Sequence, residues 1–202
     1  MVQIDIEALK SDTKEFEVKY KNANLKIPEE LNAYISDTDK ILEKYPDPEG
    51  EARKILGNFC SMRGSMIIVF GNDLEHGIPY YHKSIELDPD SYDIRWGYYT
   101  TLEEIVENED YATPELIQDA IDCLQFCIDY CNTPELKQKH HVNLRYLDLA
   151  RVYLAAKQPE KAIECANKSL ETEYNDSAIE IIKKAKKQQG FFARLFAWFK
   201  RR

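Results

Sequence analysis

Residues 71–89 have the sequence GNDLEHGIPYYHKSIELDP. A small residue, Gly77, stands four positions before a large one, Tyr81, and Pro89 follows eight positions later. Residues four apart share one face of a helix. A small residue on that face lets an antiparallel helix approach closely, and the larger one fills the space beside the crossing. The stretch therefore predicts the second helix of a helical hairpin.

The pattern extends in both directions along the chain. Upstream, one helix face carries the small residues Gly57, Ser61, Gly64 and Ser65. Downstream, the order Tyr146-x2-Leu149-Ala150-x2-Tyr153 precedes Ala162-x3-Ala166, with Tyr174 at the place of the proline. Ala120-x3-Leu124 is a third, weaker copy between the two. Recurring hairpins predict a helical-repeat protein.

These segments resemble the tetratricopeptide repeat (TPR), whose pattern of small, aromatic and proline positions has a period of 34 residues. Here Gly77 and Ala120 are 43 residues apart and Ala120 and Ala162 are 42 apart, so we expect a divergent repeat over roughly residues 52–187. The resemblance implies a scaffold whose groove binds peptides or helices. Met62 and Met66 stand where one subfamily has its carboxylate-binding side chains, so that clamp is expected to be absent.

The rest of the chain also predicts helices with short breaks. Pro28 suits a first helical turn, and Thr113-Pro114 and Thr133-Pro134 each predict an N-cap followed by proline. We expect an all-α solenoid of antiparallel hairpins with about nine helices. Its predicted parts are an N-terminal hairpin (1–50), TPR-like repeats with a capping helix (51–189) and a C-terminal amphipathic helix (190–202).

Composition supports this class. The 202 residues are 44% hydrophobic and 31% charged, with seven glycines, which favours a packed helical protein over a disordered or Gly-rich nucleotide-binding chain. The first residues lack the basic and apolar regions of a signal peptide, no stretch is long and apolar enough to cross a bilayer, and the five cysteines are an odd number. We therefore expect a cytoplasmic protein.

Charge is distributed unevenly along the chain. Residues 1–180 carry 36 acidic and 19 basic residues, a formal charge of −17, whereas residues 181–202 carry eight basic residues and no acid. The acidic body argues against nucleic-acid binding and favours a basic or apolar protein partner. Charge asymmetry of this size is typical of an interaction tail.

The tail, residues 190–202, has the sequence GFFARLFAWFKRR. At 100° per residue its large apolar side chains share an arc of about 160°, with basic residues opposite. We expect Gly190 to be a hinge or cap that makes the tail a separate element. The residues expected to dock are Phe191, Phe192, Arg194, Leu195, Phe196, Trp198, Phe199, Lys200, Arg201 and Arg202.

Three kinds of tail partner follow from this pattern. A basic, aromatic amphipathic helix is typical of binding to an anionic membrane surface, here the inner face. The same helix suits docking into a protein, which includes its own acidic body and a second copy in a homo-oligomer. Stacking of its aromatic rings on nucleic-acid bases is the alternative.

A second cluster consists of aromatic residues after the first repeat, and these are candidates for lining a groove. The alternative is that most of them pack between helices. The members are Tyr80, Tyr81, Tyr92, Trp96, Tyr98 and Tyr99.

Residues with catalytic or metal-binding chemistry form no recognisable motif. Cys123, Cys127 and Cys131 share a helix face, with His140 and His141 following, but three turns of helix spread the thiols over about 12 Å. A core role is the simpler interpretation. The sequence therefore predicts no enzyme, cofactor or metal, but an adaptor with an acidic helical-repeat body and an anchoring tail.

Overall fold

The computed structural model describes residues 4–108, 111–171 and 175–199, with side chains in the last helix as far as Phe191. Within these ranges the chain is all α, with ten helices and no strand. The helices are α1 (Ile6–Tyr20), α2 (Pro28–Lys44), α3 (Gly50–Gly71), α4 (Leu74–Leu87), α5 (Tyr92–Glu107), α6 (Pro114–Tyr130), α7 (Pro134–Lys139), α8 (Val142–Ala155), α9 (Pro159–Leu170) and α10 (Asp176–Phe199).

The chain forms two compact units, residues 1–101 (unit 1) and 102–202 (unit 2), and α5 contributes to both. In unit 1, α3 and α4 form a hairpin, and α1 and α2 pack with α3. In unit 2, α8 and α9 form a hairpin, α10 packs on both of them, and α6 packs on α8. The all-α class with packed helix pairs confirms the expected solenoid class.

The α3–α4 hairpin crosses at glycine, as its sequence predicts. A Cβ atom added to Gly64 would lie 2.9 Å from the Gly77 carbonyl oxygen and 2.8 Å from Tyr81 Cδ2. A Cβ atom on Gly77 would overlap Ile68 Cγ1 and lie 3.0 Å from the Gly64 carbonyl oxygen. Both positions therefore need glycine for steric reasons, because each backbone fills the space of the other's side chain.

The α8–α9 hairpin has the same arrangement with alanine. Ala150, Ala162 and Ala166 are fully buried, and Leu149 is 1% exposed. Ala120 and Leu124 of α6, the weaker copy, are also fully buried. The small-residue positions of the sequence pattern are thus interior positions in both units.

Two predicted helix starts have the expected chemistry. The Thr113 side chain accepts a hydrogen bond from the Leu116 N–H, and the Thr133 side chain accepts one from the Leu136 N–H. Proline follows each threonine in the first turn, where it loses no helical hydrogen bond. Both predicted N-caps are confirmed.

The uneven repeat spacing has two visible causes. A connection follows α5, of which the structure describes Asn108 and residues 111–113 before α6 begins at Pro114. The short helix α7 stands between α6 and α8, which brings the count to ten helices where about nine were expected. Insertions of this kind leave hairpin packing intact because they lie in the connections.

Candidate functional site

A groove in unit 2 lies between α8 and α10, beside the end of α5. Its volume is about 710 Å³. The helix α8 is the first helix of the α8–α9 hairpin, and α10 follows that hairpin. The lining residues are Glu107, Arg151, Leu154, Ala155, Lys157, Ser177, Glu180, Ile181, Lys184, Lys187, Gln188 and Phe191.

Two side-chain hydrogen bonds fix α10 against the hairpin. The Gln188 Nε2 group donates to the Leu154 carbonyl oxygen at 3.3 Å, and the Gln189 Nε2 group donates to Glu160 Oε1 at 3.0 Å. Leu154 is in the last turn of α8 and Glu160 in the first turn of α9, so residues 188–189 lie level with the turn that joins them.

The last part of α10 therefore continues beyond the hairpin. Its backbone is helical from Asp176 to Phe199, with no break at Gly190, unlike the expected hinge. Residues 190–199 add about 15 Å at 1.5 Å per residue. The tail is a direct extension of a helix that the body holds in place, because a glycine inside a long helix costs only about 1 kcal/mol relative to alanine.

Charged residues in the groove wall belong to a partly buried network. Asp148 is 8% exposed, and its carboxylate lies 3.2 Å from Arg145 Nη1 and 3.1 Å from Arg151 Nη1. Burial raises the pKa of Asp148 although both arginines oppose the shift. Burial, together with the charge of Asp148, also raises the pKa of Glu103, which lies 3.9 Å from Arg151. The two arginines therefore make the ionised Asp148 tolerable inside the unit.

A comparison with known families finds a match for the segment that contains the α8 side of the groove. A tetratricopeptide repeat family model matches residues 145–176, which cover most of α8, all of α9 and the first residue of α10. The chain is a divergent TPR-like helical-repeat protein. Repeats of the TPR family generally bind protein partners, and the family is generally non-enzymatic. A comparison of the TPR-like chain with curated proteins gives no match.

Most of the aromatic cluster of the TPR-like chain lies in the interior of the protein. Tyr81, Tyr98 and Tyr99 are each 1% exposed, and the rings of Tyr81 and Tyr98 stack with centroids 4.4 Å apart. Tyr80 and Tyr92 are 8% exposed, and Trp96 is half-buried. Five of these six rings are packed in the way that the alternative interpretation describes, and none of the six lines the α8–α10 groove.

Of the side chains predicted to dock, the structure describes that of Phe191. The Phe191 side chain is 61% exposed and lines the end of the groove. The remaining predicted docking side chains lie outside the described residues: Phe192, Arg194, Leu195, Phe196, Trp198, Phe199, Lys200, Arg201 and Arg202.

The cysteines are buried thiols. All five are buried, and burial raises the pKa of Cys60 to about 12 and that of Cys165 to about 11. Among the described residues, no group of three or more His, Cys, Asp or Glu side chains is placed to hold a metal ion. In the same part of the chain, no helix is both long enough and apolar enough to cross a bilayer.

A buried arginine in unit 1 went unrecognised in the sequence. Arg63 is 4% exposed, and its guanidinium carbon lies 4.7 Å from the ring centroids of Phe16 and Phe59 and 5.5 Å from that of Tyr34. Its Nε atom has no hydrogen-bond partner among the described residues, and burial lowers its pKa. The three rings come from three different helices, so no local pattern marks the position.

The residues of α10 that line the groove were not predicted from the sequence, although their spacing marks one helix face. Lys184, Lys187, Gln188 and Phe191 follow the i, i+3, i+4, i+7 spacing of one helix face. Dividing the chain at Gly190 separated Phe191 from the other three. The spacing becomes a single surface only when the helix is continuous.

Proposed function

We propose that this TPR-like chain is a non-enzymatic cytoplasmic adaptor that holds a protein partner in the α8–α10 groove. We further propose that its C-terminal helix anchors the adaptor to the inner face of a membrane. The observation that carries the proposal is the open groove, which lies beside the matched repeat and leads directly into the extended end of α10. A bound partner and the tail would then share one rigid helix.

The groove has the size of a peptide site. From Ser177 to Phe191 its α10 wall spans 14 residue steps, about 21 Å at 1.5 Å per residue. An extended peptide of about six residues has that length. The wall also offers apolar contacts from Leu154, Ile181 and the exposed ring of Phe191.

Cross-linking tests the partner site. A photoreactive amino acid replaces Ala155 in the groove of the full chain, and the matched control carries it at Asn167, an exposed position of α9 outside the groove. We expect one protein, identified by mass spectrometry of the linked peptide, to cross-link at residue 155 only and to do so again after purification. Absence of cross-linking at residue 155, or equal cross-linking at both positions, would contradict a partner in this groove.

Membrane anchoring by the tail is supported by its sequence pattern and by the geometry of α10. The eight basic residues after Glu180 suit anionic lipid, and each one near the surface contributes about 1 kcal/mol. The helix extends past the α8–α9 turn, so the body next to it does not have to unfold for the tail to reach a surface.

Vesicle sedimentation tests this anchor. The full chain is compared with a full-length variant in which Phe192, Phe196 and Phe199 are replaced by serine, which keeps every positive charge. We expect the unchanged chain to sediment with anionic vesicles, less so at high salt, and the variant to lose most of this binding because three of the six large apolar side chains that would insert are removed. If neither protein sediments with anionic or neutral vesicles, the anchor is a protein-docking helix instead. Binding to a single-stranded oligonucleotide with steep salt dependence would support the nucleic-acid alternative.

Unit 1 suits the basic or apolar partner that the acidic body predicts. Residues 1–101 carry 19 acidic and 12 basic residues. On α3, Met62, Val69 and Phe70 are 50%, 55% and 48% exposed and share one face. A basic amphipathic helix has the complementary charge and surface, and the tail of a second copy is one such helix. Sedimentation equilibrium of the same two proteins without vesicles checks for that dimer.

A further inference from the structure

Helix α3 exposes an apolar stripe near its end, here called the α3 stripe. Met62, Val69 and Phe70 are 50%, 55% and 48% exposed, and they share one helix face with the half-buried Met66. From residue 55 to residue 71 the helix has one charged residue, Arg63, and its side chain is buried. Apolar surface that is exposed in one continuous stripe is typical of a docking site.

The α3 stripe belongs to an acidic unit. Residues 1–101 carry 19 acidic and 12 basic residues, a formal charge of −7. The last turn of α3 contains no basic residue, so that turn itself does not balance the partial negative charge at the carbonyl end of the helix. The stripe therefore suits a partner that is both apolar and basic.

The C-terminal segment of this chain combines these two properties. Residues 194 and 200–202 are basic, and large apolar residues recur with the i, i+3, i+4, i+7 spacing of one helix face at Phe192, Leu195, Phe196 and Phe199. Two helices whose apolar residues have this spacing pack side by side along two turns. Met62 and Met66 suit aromatic residues in particular, because methionine adapts its shape and its sulfur makes favourable contacts with rings.

The helix that carries this segment extends away from its own hairpin. Gln188 and Gln189 bond α10 to residues on either side of the α8–α9 turn, and the backbone of α10 is helical from Asp176 to Phe199. Folding back onto α8 or α9 would need a break in this helix, and its described backbone has none. The segment therefore extends into space where a second copy of the chain can bind it.

From the stripe, the charge and the direction of α10, we infer that the α3 stripe binds the C-terminal helix of a second copy. In a symmetric dimer each copy gives one helix and receives one. The inference rests on the proposed basic or apolar partner of unit 1 and names that partner. The apolar side chains of one helix cannot be buried twice, so docking on the stripe and insertion into a bilayer exclude each other.

Sedimentation equilibrium of full-length proteins tests the contact. Val69→Lys puts a positive charge into the stripe, and Val18→Lys is the matched control, because Val18 is 69% exposed on α1 of the same unit. We expect the unchanged chain and the control to dimerise with dissociation constants within about twofold of each other. Val69→Lys should raise the constant at least about tenfold, because its lysine faces a basic helix. Circular dichroism verifies that both variants fold. Equal constants for the two variants, or an unchanged chain that is monomeric, would overturn the inference.

Mixing two defective chains shows which surfaces meet. The variant with serine at residues 192, 196 and 199 keeps the stripe and loses three large apolar side chains of its helix, whereas Val69→Lys keeps the helix. Each should dimerise at least about tenfold more weakly than the unchanged chain, and the mixture should form a heterodimer through its one intact pair of surfaces. A mixture that does not associate contradicts the pairing of helix with stripe.

Vesicle sedimentation distinguishes this contact from the proposed membrane anchor. With limiting anionic vesicles, and at a concentration where the unchanged chain is dimeric, Val69→Lys should bind in a larger fraction than Val18→Lys because its helix is not occupied. If both variants bind vesicles to the same extent, the shared use of the helix is wrong and the inference fails. Vesicle binding by an unchanged chain that is monomeric in solution also overturns the inference and leaves the anchor standing. Dimers that form as expected, while no protein binds vesicles, support the contact and contradict the anchor.

A labelled amphipathic peptide of leucine and lysine distinguishes the second copy from another basic partner of unit 1. If the unchanged chain is monomeric and binds this peptide at least about tenfold more tightly than Val69→Lys does, the second copy is wrong and the basic partner of unit 1 stands. If the chain neither dimerises nor binds the peptide, the basic partner of unit 1 is wrong as well.

Discussion

The hairpins α3–α4 and α8–α9 follow one sequence pattern, but different small residues lie where their helices pack together. In α3–α4 the crossing positions are Gly64 and Gly77, and a Cβ atom on either would lie 3.0 Å or less from the opposite carbonyl oxygen. In α8–α9 the fully buried small residues are alanines, Ala150 and Ala162 among them. The hairpin that accepts a Cβ atom is the one that the family model matches.

The two units also differ in how they hold a buried charge. Unit 1 surrounds Arg63 with aromatic rings, and no salt bridge to it is found among the described residues, although the charge of Glu17 acts on it. Unit 2 holds Asp148 between Arg145 and Arg151. Ring faces compensate a cation through their quadrupole, whereas ion pairs need opposite charges with good geometry. The burial of Arg63 thus depends on planar contact with rings, and that of Asp148 on charge balance.

The largest effect on stability is expected from a substitution at the point where α3 and α4 cross. Gly77→Ala should lower the free energy of unfolding by about 2–3 kcal/mol, because the added Cβ atom overlaps Ile68 Cγ1 and lies 3.0 Å from the Gly64 carbonyl oxygen. Gly97→Ala is the control, since a Cβ atom there lies 3.8 Å from its one neighbour, Ser61 Oγ. That change should stabilise by about 0.5–1 kcal/mol through helix propensity. Urea denaturation measures both, and equal effects would mean that the helices are not in close contact at Gly77.

The next largest effect on stability follows from the different surroundings of the buried charges of Arg63 and Asp148. Arg63→Lys should cost about 1–2 kcal/mol, because an ammonium group cannot stack its plane on Phe16 and Phe59. Arg151→Lys should cost less than about 1 kcal/mol, since the Arg151 side chain is 34% exposed and a lysine can still reach Asp148. Thermal unfolding of both variants compares them. A larger loss for Arg151→Lys would reverse the comparison.

Lowering the pH should change the stability contributions of two aspartates, one in each unit, in opposite directions. Hydrogen bonds from Lys19, Lys40 and Tyr20 hold the pKa of Asp37, in unit 1, well below its usual value of 3.8. Its ionisation therefore stabilises the fold above about pH 4, and this contribution is lost as the pH falls through the lowered pKa. The stability advantage of the unchanged protein over Asp37→Asn should be about 1–2 kcal/mol near pH 7 and shrink below about pH 4.

Asp148, in unit 2, should respond in the opposite direction. Its pKa is raised by burial, so ionisation costs stability, and the cost is relieved as the pH falls from neutral through the raised pKa. The unchanged protein should therefore gain stability relative to Asp148→Asn over that interval. Urea denaturation at several pH values measures both variants, and the same direction of change for the two would contradict this assignment of causes.

The smallest effect concerns helix caps within unit 2. Thr113→Ala should cost about 1 kcal/mol, because α6 loses the acceptor for its Leu116 N–H and buries seven of its residues on the core. Thr133→Ala removes the same bond from α7, which has six residues, none of them buried, so the loss should stay below about 0.5 kcal/mol. Thermal unfolding gives both values. Equal losses would show that α7 contributes to the core more than its exposure indicates.

Much of the fold followed from local patterns in the sequence. Thr113 and Thr133 were identified as caps from their own neighbours, and Gly77 was identified as a crossing residue from its spacing to Tyr81. These features could be predicted because each depends on residues within one or two helical turns. The candidate groove could not be predicted in this way. Arg151 and Lys187 stand 36 positions apart and line one groove only after α10 packs on α8.

The sequence alone determined the all-α class, the hairpin pattern, the acidic body and the basic aromatic tail, because periodicity, caps and charge are properties of neighbouring residues. Tertiary structure alone decided that α10 continues through Gly190, that Arg63 lies among three rings, and that a basic groove opens in an acidic chain. Each of these depends on residues distant in sequence that meet when helices pack, and a glycine breaks or continues a helix according to the contacts on either side of it.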